Sequence, residues 1–277
     1  MTGSGATLVG ALTLDHHLSS GVVRPGGGAL NMAYHWSRIS RRHRLVGRVG
    51  AADGEVLYGF CARHGIALTP DAELDGSSSA IDLELGPEGE IWMDNFREGV
   101  TADFQLTDRE VGWLGSGSPA HLVLVDVVDA ELHRVAPALP GARLTGDFLS
   151  FRHMTVERFV ATAKYLDVAF VGWPGELTDT IVDQLQDAAD EVGTLLVITA
   201  GSTGILVADG RMGARHRFPV EALTVAGSTV GCGDAFAAAF LDSWFHRGDL
   251  AAAVDAGRRL GAEATGWPAA LPETAYG

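Results

Sequence analysis

The sequence predicts an α/β fold, with a mostly parallel central sheet, helices on both faces and a small β-hairpin insertion. Short apolar runs alternate with longer stretches of helical spacing along most of the 277 residues, which is typical of successive βαβ units. Between residues 80 and 96 this order stops, and apolar residues recur at every second position on both sides of Gly86-Pro87-Glu88-Gly89. There is no internal repeat and no convincing linker, so we expect residues 1–277 to form one domain.

The first part of the chain shows how each element is recognised. Ala6 to Leu12 is a short apolar run typical of a buried strand, and Leu45 to Val49 is another. Between them, Gly26-Gly27-Gly28 precedes a helix expected at residues 29–41, because apolar residues recur there at helical spacing. Glu55 to His64 is expected to be a helix that ends at Gly65.

The same patterns continue after the hairpin. We expect strands at residues 121–127, 143–148, 167–172 and 194–199, and helices at 129–138, 155–165, 177–192, 234–246 and 249–265. Ile205 to Ala208 and Arg215 to Phe218 have the lengths of a short antiparallel pair. The hairpin at residues 80–96, together with the segment near 12–25, is expected to form a lid over a site.

Composition and charge exclude several classes of protein. The chain is 47% hydrophobic, so it can fill a core, yet no apolar run reaches the length of a membrane span. It has only two cysteines, Cys61 and Cys232, which excludes a disulfide framework. A net charge of −15 opposes binding to nucleic acid or to an acidic membrane. We therefore expect a cytoplasmic protein with a small-molecule partner.

The basic residues exclude further types of site. Lys164 is the only lysine, and it does not follow a glycine loop, so a lysine-containing phosphate loop is excluded. Schiff-base chemistry and a protein-kinase lysine are disfavoured for the same reason. The motifs of serine hydrolases, zinc proteases and dinucleotide-binding folds are also missing from the sequence.

The main candidate site is Gly231-Cys232-Gly233-Asp234, which opens an apolar helix. Glycines allow a sharp turn, and the free N–H groups of a helix's first turn bind anions such as phosphate. Asp234 beside such an anion site has two interpretations. It could cap the helix, or it could accept a proton from a hydroxyl that attacks a phosphoryl group. These four residues alone favour the helix cap, and the rest of the chain favours the base.

Other candidates also follow strands or glycines, where open α/β sheets bind their ligands. Asp15 comes directly after the first expected strand, and Asn31 lies in the first turn of the helix that follows Gly26-Gly27-Gly28. Thr199-Ala200-Gly201-Ser202-Thr203-Gly204 follows a later strand.

In this order the motifs resemble the PfkB, or ribokinase-like, family of carbohydrate kinases. Gly231-Cys232-Gly233-Asp234-Ala235-Phe236 is similar to the family's C-terminal signature. Gly26-Gly27-Gly28-Ala29-Leu30-Asn31 is similar to its N-terminal glycine motif, and Val49-Gly50 with Asp53-Gly54 matches the next segment of the family pattern. The resemblance extends from about Thr7 to Trp267, which is nearly the whole chain.

The resemblance implies a ribokinase-like fold, ATP with Mg²⁺, a sugar substrate and a role for each motif. Asp234 would be the catalytic base, and Gly231, Cys232 and Gly233 would form the anion hole for the transferred phosphoryl group. The nucleotide-binding turn would be formed by Thr199, Gly201 and Gly204. The sugar would be held by Asp15, Gly27, Gly28, Asn31 and Arg97.

One branch of the family is more similar than others. Asn95 to Phe104, Gly146 to Ser150 and Asp167 to Phe170 resemble the fructoselysine 6-kinase branch, which phosphorylates a sugar joined to an amino-acid amine. An acceptor such as ribose, 2-keto-3-deoxygluconate or a nucleoside is the alternative. A second alternative is a catalytically weak sugar-binding or regulatory protein on the same fold.

The chain departs from the family at two positions. The acid that supports magnesium in the family is displaced here, because Gly172-Trp173-Pro174-Gly175 puts Glu176 one position late. The acid that helps to hold a monovalent cation is replaced by Ser228. Cys232 at a helix start can have a lowered pKa, although a packed small residue is the simpler interpretation. The sequence leaves the oligomeric state open, although an exposed lid hairpin can pair with a second copy to form a homodimer through the lid.

Overall fold

The structure is a computed structural model that describes residues 5–86, 91–150, 155–221 and 225–277. Within these residues the strands form three sheets, of eight, four and two strands. The strands are β1 (Ala6–Val9), β2 (Thr13–His17), β3 (Val22–Gly26), β4 (His43–Val46), β5 (Val49–Gly50), β6 (Glu73–Leu74), β7 (Ser79–Leu85), β8 (Ile91–Arg97), β9 (Ala120–Val123), β10 (Leu144–Ser150), β11 (Val168–Gly172), β12 (Leu195–Thr199), β13 (Ile205–Asp209) and β14 (Ala214–Phe218). The helices are α1 (Gly28–Arg38), α2 (Glu55–His64), α3 (Asp108–Leu114), α4 (Asp126–Val135), α5 (Val156–Ala163), α6 (Thr180–Val192), α7 (Cys232–Arg247) and α8 (Leu250–Ala264).

The large sheet confirms the predicted fold class. In the described ranges it has eight strands in the order β14-β13-β12-β11-β10-β9-β1-β4. The strands from β4 to β12 are parallel, and β13 and β14 are antiparallel additions at one edge. Since ligands bind at the carboxyl ends of parallel strands, the ends of β1, β9, β10, β11 and β12 define the edge at which a site is expected.

Helices cover both faces of this sheet and create two apolar clusters. Along β11, Val168 and Phe170 belong to one cluster, whereas Ala169 and Val171 belong to the other. The first cluster includes buried residues of α1, α2, α7 and α8, and the second includes those of α4, α5 and α6. Alternate residues of a central strand are thus buried on opposite faces, which explains why the strand sequences are apolar throughout.

The lid is a separate sheet of four strands, in the order β3-β2-β7-β8, within the described residues. The predicted hairpin is confirmed, because β7 and β8 pair antiparallel, although its turn at residues 87–90 lies outside the described residues. The lid also gives Asp53, from the Asp53-Gly54 motif, a structural contact. Asp53 Oδ1 accepts a hydrogen bond from the backbone N of Ser78 at 2.7 Å, which fixes the start of β7.

Several boundaries differ from those predicted. α1 ends at Arg38 rather than residue 41, and Ser40 beyond it has a φ of 55°. The strand β9 ends at Val123 rather than residue 127, and α4 accordingly begins at Asp126 rather than residue 129. α3 was not predicted, although Thr107 and Glu110 form a capping box at its start. In the ranges given above, no helix combines the length and the apolar character needed to cross a lipid bilayer.

A buried ion pair joins the main sheet to α3. Arg48 Nη2 lies 2.8 Å from Glu110 Oε2, and both side chains are almost fully shielded from solvent. Arg48 Nη1 donates to Glu110 Oε1 at 3.0 Å, and Thr69 Oγ1 donates to the same oxygen at 2.8 Å. Both charges are therefore hydrogen-bonded, which is the condition under which such a pair is tolerated in a core.

Candidate active site

The run Gly26-Gly27-Gly28 places two acidic side chains next to each other at the edge of the large sheet. A Cβ at Gly26 would lie 2.1 Å from Asp15 Oδ2, and a Cβ at Gly28 would lie 2.8 Å from Asp234 Oδ1. Gly27 has a φ of 99°, and a Cβ there would lie 2.3 Å from the Ala11 carbonyl oxygen. Each glycine therefore makes room for a different neighbour, and side chains in this run would displace Asp15 or Asp234.

Asp15 does not lie past a strand end, as the sequence suggested. It lies in the middle of β2, in the lid sheet, because the chain enters that sheet only three residues after β1 ends. Its Oδ1 accepts a hydrogen bond from Thr13 Oγ1 at 2.6 Å. Asp15 is 7% exposed, so its carboxyl is largely desolvated.

Asp234 lies in the first turn of α7 but does not cap the helix. The N-cap residue is Gly231, in the left-handed conformation with a φ of 76°, and the helix has no side-chain cap. The half-buried Asp234 instead accepts a hydrogen bond at Oδ2 from Asn31 Nδ2, at 2.7 Å. The capping interpretation is therefore wrong. Asn31 is 3% exposed, and its Oδ1 is shielded from solvent without a hydrogen-bond partner in the described ranges.

A third acid, Asp147, completes a cluster that the sequence analysis missed. It lies in the middle of β10, where it pairs with Val123 at the end of β9. It is 8% exposed and accepts a hydrogen bond at Oδ1 from the backbone N of Leu149 at 2.6 Å. Leu149 has a φ of 57°, and the pairing of β10 with β11 shifts between Asp147 and Ser150. Asp147 could have been found by the rule used for strand ends, since it is an acid near the end of the strand expected at residues 143–148.

Burial raises the pKa of all three carboxyl groups, and the charge of Asp234 raises the pKa of Asp15 and Asp147 further. Burial, and then the charge of Asp234, raises the pKa of Asp147 to about 7. Burial also raises the pKa of Asp15 to about 7, against the Thr13 hydrogen bond and with a further contribution from Asp234. Burial raises the pKa of Asp234 to about 6, while the hydrogen bond from Asn31 lowers it. A carboxyl group with a pKa near 6 can accept and release a proton close to neutral pH.

The backbone before Asp234 has the form of an anion site. Gly233 is exposed, and a Cβ there would have no atom within 4 Å, so the space beside this residue is open. The Cys232 amide makes only a long contact, 3.4 Å, with the Thr229 carbonyl oxygen. Burial, and then the Asp234 charge, raises the pKa of the Cys232 thiol to about 11. The possibility of a reactive thiolate is therefore wrong, and Cys232 is a packed small residue.

The turn Thr199 to Gly204 follows β12 at the same edge of the sheet. The carbonyl of Thr199 accepts a hydrogen bond from the Trp173 amide at 2.8 Å, which ties the end of β12 to the end of β11. Gly201 has a φ of 52° and open space around its Cβ position. Gly204 has a φ of 126°, and a Cβ there would lie 3.1 Å from the Phe218 carbonyl oxygen. The turn requires both glycines and leaves its outer surface open.

No cluster of acidic side chains surrounds Glu176 or Ser228, the two described positions at which the chain departs from the family pattern. Glu176 is exposed, and its amide donates to Asp179 Oδ2 at 3.0 Å. Ser228 is 1% exposed, and its Oγ accepts from the Val230 amide at 3.0 Å. Within the described part of the chain, no three acidic, histidine or cysteine side chains converge on one metal position.

Arg97, a candidate for sugar binding, contacts its own lid strands. Its Nη2 lies 2.8 Å from Asp82 Oδ1 and its Nη1 lies 3.2 Å from Asp82 Oδ2. Asn95 Nδ2 donates to the same carboxylate at 2.8 Å. Hydrogen bonds from Arg97 and then from Asn95 lower the pKa of Asp82 to about 2. The Arg97 side chain is 40% exposed at the end of β8.

Comparisons with known proteins agree with this arrangement. The sequence profile described as "pfkB family carbohydrate kinase" matches residues 168–270. The chain is 28% identical over 224 residues to a fructoselysine 6-kinase of Escherichia coli, covering 79% of this chain and 81% of that protein. A structure described as a probable sugar kinase from Rhizobium etli superposes with a TM-score of 0.82 at 16% identity, over 100% of this chain and 97% of that one. A fructokinase from Vibrio cholerae superposes with a TM-score of 0.72 at 21% identity, over 99% and 97% of the two chains. The chain thus has a ribokinase-like fold and is similar to carbohydrate kinases of the PfkB family, whose profile matches residues 168–270.

Proposed function

We propose that this kinase transfers the γ-phosphoryl group of ATP to a primary hydroxyl of a fructosamine such as fructoselysine. The observation that carries the proposal is the environment of Asp234. This half-buried carboxyl, with a pKa near 6, accepts a hydrogen bond from Asn31 and directly follows the exposed Gly233. A base and an anion site are thereby held side by side.

In this proposal, the acceptor hydroxyl lies against Asp234, which takes its proton as the oxygen attacks the phosphoryl group. The amides of Gly231, Cys232 and Gly233 stabilise the charge on the phosphoryl oxygens, supported by the positive end of the α7 dipole. Asn31 orients the Asp234 carboxylate through their 2.7 Å hydrogen bond. Its unpaired Oδ1 is available to accept a hydrogen bond from a sugar hydroxyl.

Nucleotide binding is assigned to the turn Thr199 to Gly204. Its glycines have positive φ angles, and the residues before Gly204 are exposed beside the end of β12. The Vibrio cholerae fructokinase, on the same fold, is described as bound to fructose, ADP and a potassium ion. A bulky residue at Gly201 should weaken ATP binding and leave sugar binding largely intact, which calorimetry can measure.

Magnesium would be held by Asp147 rather than by Glu176. Mg²⁺ commonly uses one or two carboxylates together with substrate phosphates, and it would neutralise charge on those phosphates. Asp147 fits this requirement, because Asp234 repels its negative charge and a cation would relieve that repulsion. The Ser228 hydroxyl is neutral and already hydrogen-bonded, so we propose that turnover does not need potassium.

The fructosamine assignment has two supports. One is the similarity to the fructoselysine 6-kinase of Escherichia coli, over 79% of this chain. The other is the cluster of Asp15, Asp147 and Asp234 in a chain of net charge −15, an environment that favours an acceptor bearing an amine cation.

The test measures ADP release with magnesium for fructoselysine, fructose, ribose and 2-keto-3-deoxygluconate, with and without potassium. Fructoselysine should have the highest kcat/KM, and potassium should change it little. Asp234→Asn should lower kcat by roughly two to four orders of magnitude while both substrates still bind. Near-normal turnover by a folded Asp234→Asn variant would remove the base assignment. A large preference for ribose would contradict the fructosamine acceptor, while the proposal of sugar-kinase activity would stand.

The lid is proposed to pair with a second copy of the chain. Its strands expose apolar side chains that a monomer would leave in water, namely Leu18, Val22, Val23, Trp92, Met93 and Phe96. Trp92→Asp should shift the molecular mass measured by light scattering from dimer to monomer. Met212→Asp is the matched control, because Met212 is 79% exposed at the distant β13–β14 turn. A monomeric wild type would contradict the proposal.

A further inference from the structure

We propose that Arg24 binds a carboxylate of the acceptor, at the end of the sugar site farthest from Asp234. This inference rests on the proposed fructosamine kinase function and specifies which fructosamines the site takes. It assigns a specificity role to a residue outside the glycine and aspartate motifs of the site.

The contacts give an order along the site. Gly28 lies against Asp234 and Gly26 lies against Asp15, so these two acids occupy adjacent positions. Arg24 pairs with Asp15 across the β2–β3 ladder, two residues farther from the glycine run. The guanidinium of Arg24 lies over the ring of Tyr276, 4.6 Å from its centroid. The order is therefore Asp234, then Asp15, then Arg24 with Tyr276.

The side chain of Arg24 has one hydrogen-bonding group without a partner. Its Nη2 lies 3.1 Å from Glu273 Oε1 and 2.9 Å from Glu273 Oε2. Its Nη1 is shielded from solvent and donates to no atom of the residues that the structure describes. The Arg24 side chain is 15% exposed. A desolvated cationic N–H without an acceptor is unfavourable, so an oxygen that reaches it gains more than an ordinary hydrogen bond.

A second unpaired atom lies at the other end of the site. Asn31 Oδ1 is shielded and without a partner in the described ranges, next to Asp234. A ligand that satisfies both atoms must donate a hydrogen bond beside Asp234 and accept one at Arg24. A sugar hydroxyl meets the first requirement and a carboxylate meets the second. A fructosyl amino acid carries these two groups at opposite ends.

Glu273 does not remove the preference for an anion. Its side chain is 64% exposed, so water screens most of its charge. The arrangement favours a carboxylate over a neutral oxygen, because the carboxylate adds Coulombic attraction to the hydrogen bond and matches the planar geometry of the guanidinium. The carboxylate could belong to an α-linked or an ε-linked fructosyl amino acid, which share this chemistry.

The experiment compares two pairs of acceptors. ε-Fructoselysine is paired with fructosylcadaverine, its decarboxylated counterpart, and fructosylglycine is paired with fructosylethylamine. The wild type should prefer the carboxylate member of at least one pair, by about tenfold or more in kcat/KM. Arg24→Gln should bring that ratio close to one, by raising KM for the carboxylate member with little change in kcat. The pair that responds identifies the linkage.

Glu273→Gln is the matched control, because it removes the ion-pair partner and keeps the free Nη1 of Arg24. It should retain most of the carboxylate preference. If Arg24 only supports Tyr276 and Glu273, Arg24→Gln will lower kcat/KM equally for both members of a pair, and the inference is overturned. Wild-type turnover of fructosamines without a carboxylate preference also overturns it, while the proposed function stands. If the wild type phosphorylates another sugar and none of the four fructosamines, the proposed acceptor and this inference fail together.

Discussion

Removing the amide of Asn31 should shift the pH dependence of catalysis by a calculable amount. In Asn31→Ala, Asp234 loses the hydrogen bond that its Oδ2 accepts at 2.7 Å. That bond lowers the pKa of Asp234, so its loss raises the pKa above the present value of about 6. A hydrogen bond to a charged group contributes about 1.5–3 kcal/mol, and one pKa unit corresponds to about 1.4 kcal/mol. The pKa should therefore rise by about one to two units.

The assay is kcat measured between pH 5 and pH 9.5 at saturating substrates and fixed magnesium. A base must be deprotonated to act, so activity is lost as the pH falls through its pKa. The wild type should be half-active near pH 6, and Asn31→Ala near pH 7–8, with activity recovering at high pH. Thr13→Val is the control, because it removes a hydrogen bond to Asp15 and none to Asp234. A midpoint that stays in place or falls in Asn31→Ala would refute the reasoning.

Three further predictions use other contacts. Gly28→Ala should lower kcat/KM at least tenfold, because its Cβ would lie 2.8 Å from Asp234 Oδ1, whereas Gly59→Ala, with open space on α2, should keep full activity. Asp147→Asn should raise the melting temperature at pH 8 but not at pH 4. The pKa of Asp147 is about 7 in the folded chain against 3.8 ordinarily, so between these values the folded chain holds a proton that the unfolded chain has lost. The wild type therefore loses stability, on the order of 4 kcal/mol, as the pH rises through this range. Glu110→Gln should lower the free energy of unfolding in urea by about 3–5 kcal/mol, because Arg48 is left as an unpaired buried charge, and a loss below about 1 kcal/mol would contradict that account.

The best-predicted elements are those whose sequence shows both a hydrophobic periodicity and a residue that marks where the element ends. α2 was predicted to the residue, because Gly65 takes the left-handed conformation that ends a helix. α3 was missed because it has only seven residues, although the capping box of Thr107 and Glu110 was a usable signal. The β9–α4 boundary failed because Leu124, Val125 and Val127 continue the apolar run after the strand ends.

Apart from Asp147, the residues of the candidate site were chosen from the sequence, but their arrangement was not predicted. Asp234 and Asn31 were both chosen from the sequence, yet their hydrogen bond joins residues 203 positions apart. Asp15 was placed on the wrong element, because a short apolar run gives no sign that the chain crosses into a second sheet. The unpaired Nη1 of Arg24 depends on packing against Glu273 and Tyr276, which no local pattern reveals.

The glycine run also bears on how active and inactive relatives can be told apart. A glycine codon changes by one nucleotide to alanine, serine, valine or aspartate in many contexts, and every such change adds a Cβ. At position 28 that atom would lie 2.8 Å from Asp234 Oδ1 and would displace the proposed base, while the Gly231–Asp234 signature stays intact. A sequence survey that checks only for the aspartate at position 234 would then count such an inactive relative as an enzyme. Position 28 should be read alongside it when sugar-binding descendants are separated from true kinases.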